Sequence, residues 1–185
     1  SGGVFGERWA KIAEAHGRVV HRITIEWGKV AKAQDIANAI AAHPDASLIC
    51  ATLSETSTGV MHPIKEIAEV TSASNIPLAV DAVSGLGVCE LMTDQWGVDI
   101  VVAGSQKGLM IPPGLAFITM SEKVLADLRL FQKSLPTGRQ AKPTKLVPHP
   151  LYDNFGAIIS KADARKHLGL PENEKIILFF GFIRK

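Results

Sequence analysis

Lys107 is the side chain of this sequence best suited to covalent chemistry. It follows an apolar, β-branched run at 98–103, and Gly108 and a Pro-Pro-Gly turn at 112–114 come after it. The run predicts a buried parallel strand, and ligands bind outside the carboxyl ends of such strands. A lysine held against apolar neighbours loses part of its preference for the charged form, and the free amine can attack a carbonyl group and form a Schiff base. The same pattern is also typical of an ordinary surface loop.

Asp81 is the second candidate, because it lies at the end of another apolar run, PLAVDA at 77–82. Its neighbours Val80 and Val83 are apolar, and a carboxylate in such surroundings is costly to bury unless a cation or a protonated nitrogen meets it. A helix N-cap or a turn residue is the alternative interpretation. Asp81 therefore either faces a positively charged ligand or closes a turn.

A hydroxyl-rich loop, ETSTG at 55–59, follows a third apolar run, SLICATL at 47–53. It offers hydroxyl and backbone N–H donors to a ligand, although Ser and Thr before a glycine are equally typical of a helix cap. The carboxyl ends of parallel strands lie along one edge of a sheet. We therefore expect this loop, Asp81 and Lys107 to converge at one edge.

The elements that must position these residues alternate along the chain. The predicted strands are 18–27, 47–53, 77–82, 98–103 and 115–120, and the predicted helices are 7–15, 33–42 and 63–72. Alternation at this spacing predicts an α/β fold in which a mostly parallel sheet forms the middle of three α/β/α layers. A parallel fold rarely starts on a lone crossover helix, and we therefore expect part of the domain to precede residue 1.

The composition argues against several classes of protein. The 185 residues carry a formal net charge of +2, and 46% of them are hydrophobic, which is typical of a globular domain and gives no reason to expect binding to nucleic acid or a membrane. Cys50 and Cys89 lie in or beside apolar runs, as reduced core thiols do. No apolar run approaches the roughly 18 residues of a membrane span, and no basic-then-apolar leader opens the sequence. We predict a cytoplasmic protein.

Together the motifs resemble the large domain of class V pyridoxal-phosphate aminotransferases of the alanine–glyoxylate and serine–pyruvate kind. The resemblance is carried by VDAVSGLG around Asp81, SQKG around Lys107 and ETSTG, with GVFGERW and ITIEWGK nearer the start, and it covers about residues 2–125. It implies a truncated large domain of the fold type I pyridoxal-phosphate (PLP) enzymes. The resemblance also implies that the full-length protein forms a homodimer.

The resemblance also implies a role for each of five residues around pyridoxal 5'-phosphate. Lys107 would be the catalytic residue and carry the cofactor as a Schiff base, and Asp81 would hold the pyridine nitrogen protonated. Thr56 and Gln106 would contact the cofactor, and Val83 would pack on its ring. Related cysteine desulfurases usually have a histidine immediately before the lysine, so Gln106 at that position favours transamination over sulfur chemistry.

The implied reaction transfers an amino group between a small amino acid, alanine or serine, and a 2-oxo acid, glyoxylate or pyruvate. One lysine can serve as anchor and as acid/base in this reaction. The family's Gly/Ser/Thr-rich phosphate loop would lie upstream of Gly3, and its small domain would begin near residue 130. We therefore expect the chain by itself to be inactive or nearly so. No metal site is predicted, because His149 and His167 have no further ligands at metal spacing.

The chain changes character after residue 130. Residues 131–145 are basic and interrupted by Pro and Gly, which predicts a linker between the domain at 1–130 and a short α/β appendage at 146–185. Residues 145–185 resemble the interdomain stretch of a GT-B glycosyltransferase of family 4 type, on the motifs HPLYDNFG, LGLP and ILFFGFIRK. Two alternatives to an aminotransferase follow, a non-catalytic chimera of two unrelated fragments and a glycosyltransferase fragment.

Overall fold

The computed structural model describes residues 1–134, with side chains up to residue 128, and residues 160, 162, 163 and 166. It divides the chain into two compact units, Ser1–Thr144 and Lys145–Lys185. In the second unit the Asp163 N–H donates to the Ser160 hydroxyl at 3.1 Å, as at a helix N-cap. The glycosyltransferase-like fragment otherwise lies outside the described residues.

A four-stranded sheet forms the centre of the first unit. In spatial order its strands are β1 (Ile49–Thr52), β4 (Leu78–Asp81), β5 (Ile100–Gly104) and β6 (Ala116–Met120). The first three are parallel, and β6 is antiparallel to β5. Two short strands, β2 (Ser54–Glu55) and β3 (Val60–Met61), form a separate antiparallel hairpin. The prediction of a mostly parallel sheet is confirmed.

Five helices accompany this sheet in the described chain, and the first three lie where the alternating pattern predicts helices at 7–15, 33–42 and 63–72. They are α1 (Val4–Ala15), α2 (Ala33–Ala42), α3 (Ile64–Ser74), α4 (Thr93–Trp96) and α5 (Glu122–Ser134). The side chain of Asp35 accepts a hydrogen bond from the Lys32 N–H at 3.0 Å and so fixes the start of α2. The last of these helices runs into the segment predicted as a linker. Within the described part of the chain, no helix is long and apolar enough to cross a membrane.

The core lies where α3 packs beside β4. Leu78, Ala79 and Val80 are successive residues of β4 and are all buried, so both faces of the strand are covered, as in a parallel sheet between helices. Ile64 and Ile67 of α3 belong to the same buried cluster. This packing fixes the carboxyl end of β4, where the first of the candidate residues lies.

The strand predicted at 18–27 is wrong. A strand needs a neighbour that completes its ladder of backbone hydrogen bonds. Among the described residues, Ser1 supplies that pairing at a single point: its carbonyl accepts from the Ile25 N–H at 3.0 Å and its amino group donates to the Ile23 carbonyl. The β-branched content of the segment indicates an extended preference but cannot supply the partner.

The prediction that both cysteines are core thiols is also wrong for Cys50. Its side chain is exposed, whereas Cys89 is half-buried and packs against the core. Cys50 lies on β1, at one edge of the described sheet. An apolar run indicates a strand, but it does not say which of the strand's sides another element covers.

Candidate active site

Three loops leave the sheet at the carboxyl ends of β1, β4 and β5. Thr52, Asp81 and Val102 lie side by side in the register of these parallel strands, so the loops start level with one another. They span residues 53–59, 82–88 and 105–108. The predicted convergence of the hydroxyl-rich loop, Asp81 and Lys107 at one sheet edge is confirmed.

Thr56 lies in the turn between β2 and β3 and is exposed. Its hydroxyl donates a hydrogen bond to the Ser84 hydroxyl at 2.7 Å. Ser84 belongs to the loop that follows Asp81, so this bond joins the loop after β1 to the loop after β4. The side chain is therefore held at the sheet edge and is open to a ligand.

Glu55, the residue before Thr56, is 1% exposed. Its carboxylate accepts hydrogen bonds from the N–H groups of Phe5 at 3.1 Å and Gly6 at 2.9 Å, in the first turn of α1. It also accepts from the Ser57 N–H and hydroxyl. Burial raises the pKa of Glu55, but the hydrogen bonds from Ser57, Gly6 and Phe5 outweigh burial and lower the pKa overall.

Asp81 ends β4 and is half-buried. Its Oδ1 accepts a hydrogen bond from the Val83 N–H at 2.9 Å, which places Val83, also half-buried, directly beside the carboxyl group. Burial raises the pKa of Asp81, the Val83 N–H lowers it, and the negative charge of Glu55 raises it further. A positive partner at this carboxyl would offset the cost of its charge.

Lys107 and Gln106 are both exposed, in the loop after β5. Ser105 anchors the start of this loop, because it is completely buried and its hydroxyl donates to the Pro112 carbonyl at 2.7 Å. The Lys107 carbonyl accepts from the Met110 N–H at 2.9 Å. The backbone on both sides of Lys107 is thus fixed, while its side chain reaches solvent.

Gly108 is the point at which the loops after β4 and β5 touch. A Cβ atom on Gly108 would lie 2.2 Å from the Leu86 carbonyl oxygen and 2.8 Å from the Val88 side chain. Any residue other than glycine would push the two backbones apart. The close contact fixes the loop of Lys107 against the loop of Asp81.

These groups fit a cationic, planar group that carries a carbonyl carbon. Within residues 1–128 the Asp81 side chain accepts one hydrogen bond, from Val83, so a protonated ring nitrogen could be its second partner. Lys107 offers an accessible amine, and Thr56 and Gln106 offer accessible polar ends. This donor and acceptor set suits pyridoxal phosphate.

A cavity of about 890 Å³ lies elsewhere in the first unit. It opens between α1, the extended segment around Ile23, and β1, and its lining includes neither Asp81 nor Lys107. The convergence of the candidate residues therefore rests on the strand register and the loop contacts.

The sequence matches the profile of the family "Aminotransferase class-V" over residues 6–145. The chain belongs to the class V aminotransferases. This family is the one that the motifs around Asp81 and Lys107 resemble, and its match extends beyond the stretch at 2–125 over which those motifs occur. The match ends where the glycosyltransferase-like segment begins.

Relatives of this class V aminotransferase chain include glyoxylate transaminases. It is 38% identical to (S)-ureidoglycine–glyoxylate transaminase of Bacillus subtilis over 136 residues, which are 74% of this chain and 32% of the relative. It is 34% identical to alanine–glyoxylate aminotransferase of Rattus norvegicus over 150 residues, 81% of this chain and 34% of the relative. The chain thus spans about a third of the length of the curated relatives that it matches.

Solved structures of such enzymes share the fold of this class V aminotransferase chain. The crystal structure of the B. subtilis ureidoglycine–glyoxylate aminotransferase superposes with a TM-score of 0.68 and 37% identity, over 72% of this chain and 34% of that one. The alanine–glyoxylate aminotransferase of Nostoc sp. gives a TM-score of 0.67 and 32% identity over 70% and 34%. The match to a fold type I large domain is confirmed.

The class V motifs did not reveal three residues that organise the site. Glu55 caps α1, Ser84 binds Thr56, and Ser105 anchors the loop of Lys107. Ser84 and Ser105 lie within the quoted motifs, beside the residues that they support. Their roles depend on contacts between loops, which sequence spacing alone does not indicate.

Proposed function

We propose that this chain carries the PLP-binding edge of an aminotransferase. The single observation that supports this best is that Thr56, Asp81 and Lys107 follow neighbouring parallel strands, in loops joined by the Thr56–Ser84 hydrogen bond and by the contact at Gly108. The reaction proposed is amino-group transfer between alanine or serine and glyoxylate or pyruvate. The names of the B. subtilis and rat relatives share glyoxylate and differ in the amino donor, which favours glyoxylate as the acceptor.

Lys107 is the proposed catalytic residue. Its exposed amine would hold the cofactor, and as a free amine it would move a proton to and from the substrate Cα. PLP, when bound, supplies an electron sink for the charge that develops at that carbon. The Ser105 anchor and the Met110 hydrogen bond hold the backbone of Lys107, so the amine moves by rotation of the side chain while the backbone stays in place.

Asp81 holds a proton at the pyridine nitrogen of the cofactor. Burial and the charge of Glu55 raise the pKa of Asp81 although the Val83 N–H and the charge of Arg8 lower it, and a cationic nitrogen in contact with the carboxylate would stabilise its charge. Val83 packs on the ring, and Thr56 and Gln106 bind its polar substituents. Each of these five assignments is part of the proposal.

The proposal extends to the organisation of the whole protein. We infer a homodimer in the cytoplasm, with a PLP domain at 1–130, a linker at 131–145 and an appendage at 146–185. The likeness of the appendage to a GT-B glycosyltransferase stays a prediction from its motifs, as does the alternative that the chain is a non-catalytic chimera.

Covalent labelling of the full chain tests the proposal. The chain is incubated with PLP, reduced with borohydride and mapped by peptide mass spectrometry. We expect the pyridoxyl mass on Lys107, its loss in Lys107→Arg, and its retention in the matched variant Lys65→Arg, since Lys65 is an exposed lysine of α3. A label found mainly on another lysine contradicts the proposal.

The same labelling distinguishes the amino donors. A donor that reacts with the bound cofactor releases Lys107, so it prevents labelling when it is added before borohydride. In a longer chain that includes the phosphate loop and the small domain, we expect alanine or serine to protect Lys107 at lower concentration than aspartate does. Protection by aspartate alone would contradict the small-amino-acid assignment while leaving the PLP site intact.

A further inference from the structure

Glu55 and Ser57 form a polar clamp on the start of α1. The first N–H groups of a helix have no partner within it. Here the Val4 N–H donates to the Ser57 hydroxyl at 3.0 Å, and the Phe5 and Gly6 N–H groups donate to the Glu55 carboxylate. The negative charge also suits the positive end of the helix dipole.

Within the clamp, the Glu55 carboxylate is closely surrounded by its hydrogen-bond partners. The Ser57 hydroxyl donates to Glu55 Oε1 at 2.6 Å, and the Ser57 N–H donates to the same oxygen at 3.1 Å. A Cβ atom on Gly3 would lie 2.4 Å from the Glu55 side chain. Glu55 therefore occupies a slot in which charge-assisted hydrogen bonds arrive from two segments far apart in sequence.

Thr56 lies between the two residues of the clamp. Its own side chain makes no contact with α1 among the polar contacts of residues 1–128; it extends to Ser84 instead. Because Glu55 and Ser57 are fixed on either side, the backbone of Thr56 has little freedom. The hydrogen bonds that Glu55 and Ser57 make to α1 thus direct the Thr56 hydroxyl at the loop of Asp81.

We propose that Glu55 is a positioning residue for the site, which sets the Thr56 hydroxyl and, through Ser84, the loop of Asp81 for cofactor binding. This inference rests on the proposed function, because it assigns Glu55 a role toward the PLP contact of Thr56. Glu55 itself does not touch the cofactor. It acts through Thr56, because the hydrogen bonds of the clamp to α1 fix the backbone on either side of Thr56.

The first test follows the clamp without the cofactor. In ¹H–¹⁵N spectra of the full chain, the amide signals of Phe5, Gly6 and Ser57 should titrate together as Glu55 is protonated, since all three donate to its carboxylate. The other titrating groups that act on or near this carboxylate are the Ser1 amine, His62 and Asp81. Glu55→Gln should abolish the common titration and shift the Thr56 and Ser84 amides, and Glu69→Gln, at an exposed site on α3, should do neither.

The second test links the clamp to the cofactor. We expect Glu55→Gln to raise the Kd for PLP about tenfold, which corresponds to about 1.4 kcal/mol, and Glu69→Gln to change it by less than about twofold. In a Thr56→Val background the Glu55→Gln effect should disappear, because a residue that acts through Thr56 has nothing left to position. A general loss of structure would instead give the same loss of affinity in both backgrounds.

The outcomes separate the two proposals. Borohydride labelling of a lysine other than Lys107 overturns the proposed function, whereas Thr56 and Ser84 amides that do not move in Glu55→Gln overturn the role of Glu55. Additive effects of Glu55→Gln and Thr56→Val on the Kd also overturn it. If Glu55→Gln fails to fold, Ser57→Ala removes one arm of the clamp and should produce the same amide shifts at smaller amplitude.

Discussion

The Thr56 hydroxyl donates a hydrogen bond to the Ser84 hydroxyl across 2.7 Å. The two residues lie in loops that follow different strands of the sheet, so the bond connects the turn of the β2–β3 hairpin to the loop after β4. The clamp on α1 fixes one side of this connection, and the buried strand β4 fixes the other. The position of the Thr56 hydroxyl is therefore a property of the folded chain before any ligand arrives.

Replacing Thr56 by valine tests this connection with almost no change of shape. We expect the Kd for PLP to rise about tenfold, because the variant loses both the bond to Ser84 and the polar contact of Thr56 with the cofactor. Thr56 is exposed, so the free energy of unfolding should fall by only about 0.5–1.5 kcal/mol. Thr58→Val is the matched control, since its hydroxyl makes only a long bond of 3.5 Å to the Glu55 carbonyl. Equal losses of PLP affinity in both variants would contradict the role given to Thr56.

Replacing Gly108 by alanine tests the contact between the loops of Asp81 and Lys107. The added methyl group would meet the Leu86 carbonyl oxygen at 2.2 Å, so the loops must separate, at a cost of about 1–3 kcal/mol of unfolding free energy. We expect pyridoxyl labelling of Lys107 to fall in the same variant. Gly28→Ala is the comparison, because nothing lies within 4 Å of Gly28 and its φ of +82° makes that substitution strained without moving the site. Full labelling in Gly108→Ala would show that the contact does not matter for Lys107.

Sequence pattern predicted the parallel part of this fold well, because each of its strands lies in a short apolar run. The runs at 47–53 and 77–82 became β1 and β4, and the one at 98–103 became β5. Since parallel strands share an edge, the order of these runs was enough to predict that the loops carrying Thr56, Asp81 and Lys107 converge.

The remaining features depend on partners that a single stretch of sequence does not contain. The segment 18–27 has the composition of a strand but pairs only at Ser1 within the described chain. Glu55 stands in a hydroxyl-rich loop and gives no sign of the bonds that it accepts from α1, which begins about 50 residues earlier. Contacts of this kind, between residues distant in sequence, decide which polar side chains are buried.

Ser105→Ala tests the hydrogen bonds that anchor the loop of Lys107. The Ser105 hydroxyl is completely buried, donates to the Pro112 carbonyl at 2.7 Å and accepts from the Leu115 N–H at 3.3 Å. Its removal leaves two backbone groups without these bonds, and we expect the free energy of unfolding to fall by about 1–3 kcal/mol in urea titrations. Ser47→Ala, at an exposed position, should change it by no more than about 0.5 kcal/mol. A Ser105→Ala chain as stable as Ser47→Ala would mean that the loop is held by other contacts.

At neutral pH, Asp81→Asn should raise the stability of the chain and weaken its binding of PLP. Burial raises the pKa of Asp81 in the folded chain, so the folded state binds a proton more tightly than the unfolded state does. The favourable contribution is then present at low pH and is lost as pH rises through the folded pKa. In the absence of PLP, Asp81→Asn should therefore match the wild-type chain below the ordinary pKa of 3.8 and become relatively more stable toward about pH 7, as measured by urea unfolding at several pH values. Asp45→Asn, an exposed control, should follow the wild-type curve throughout.

At neutral pH the same Asp81→Asn chain should bind PLP at least tenfold more weakly, because an amide cannot hold a proton at the ring nitrogen as a carboxylate does. A variant that loses stability at neutral pH, or that keeps its affinity for PLP, would show that Asp81 closes a turn and does not face a cationic ligand.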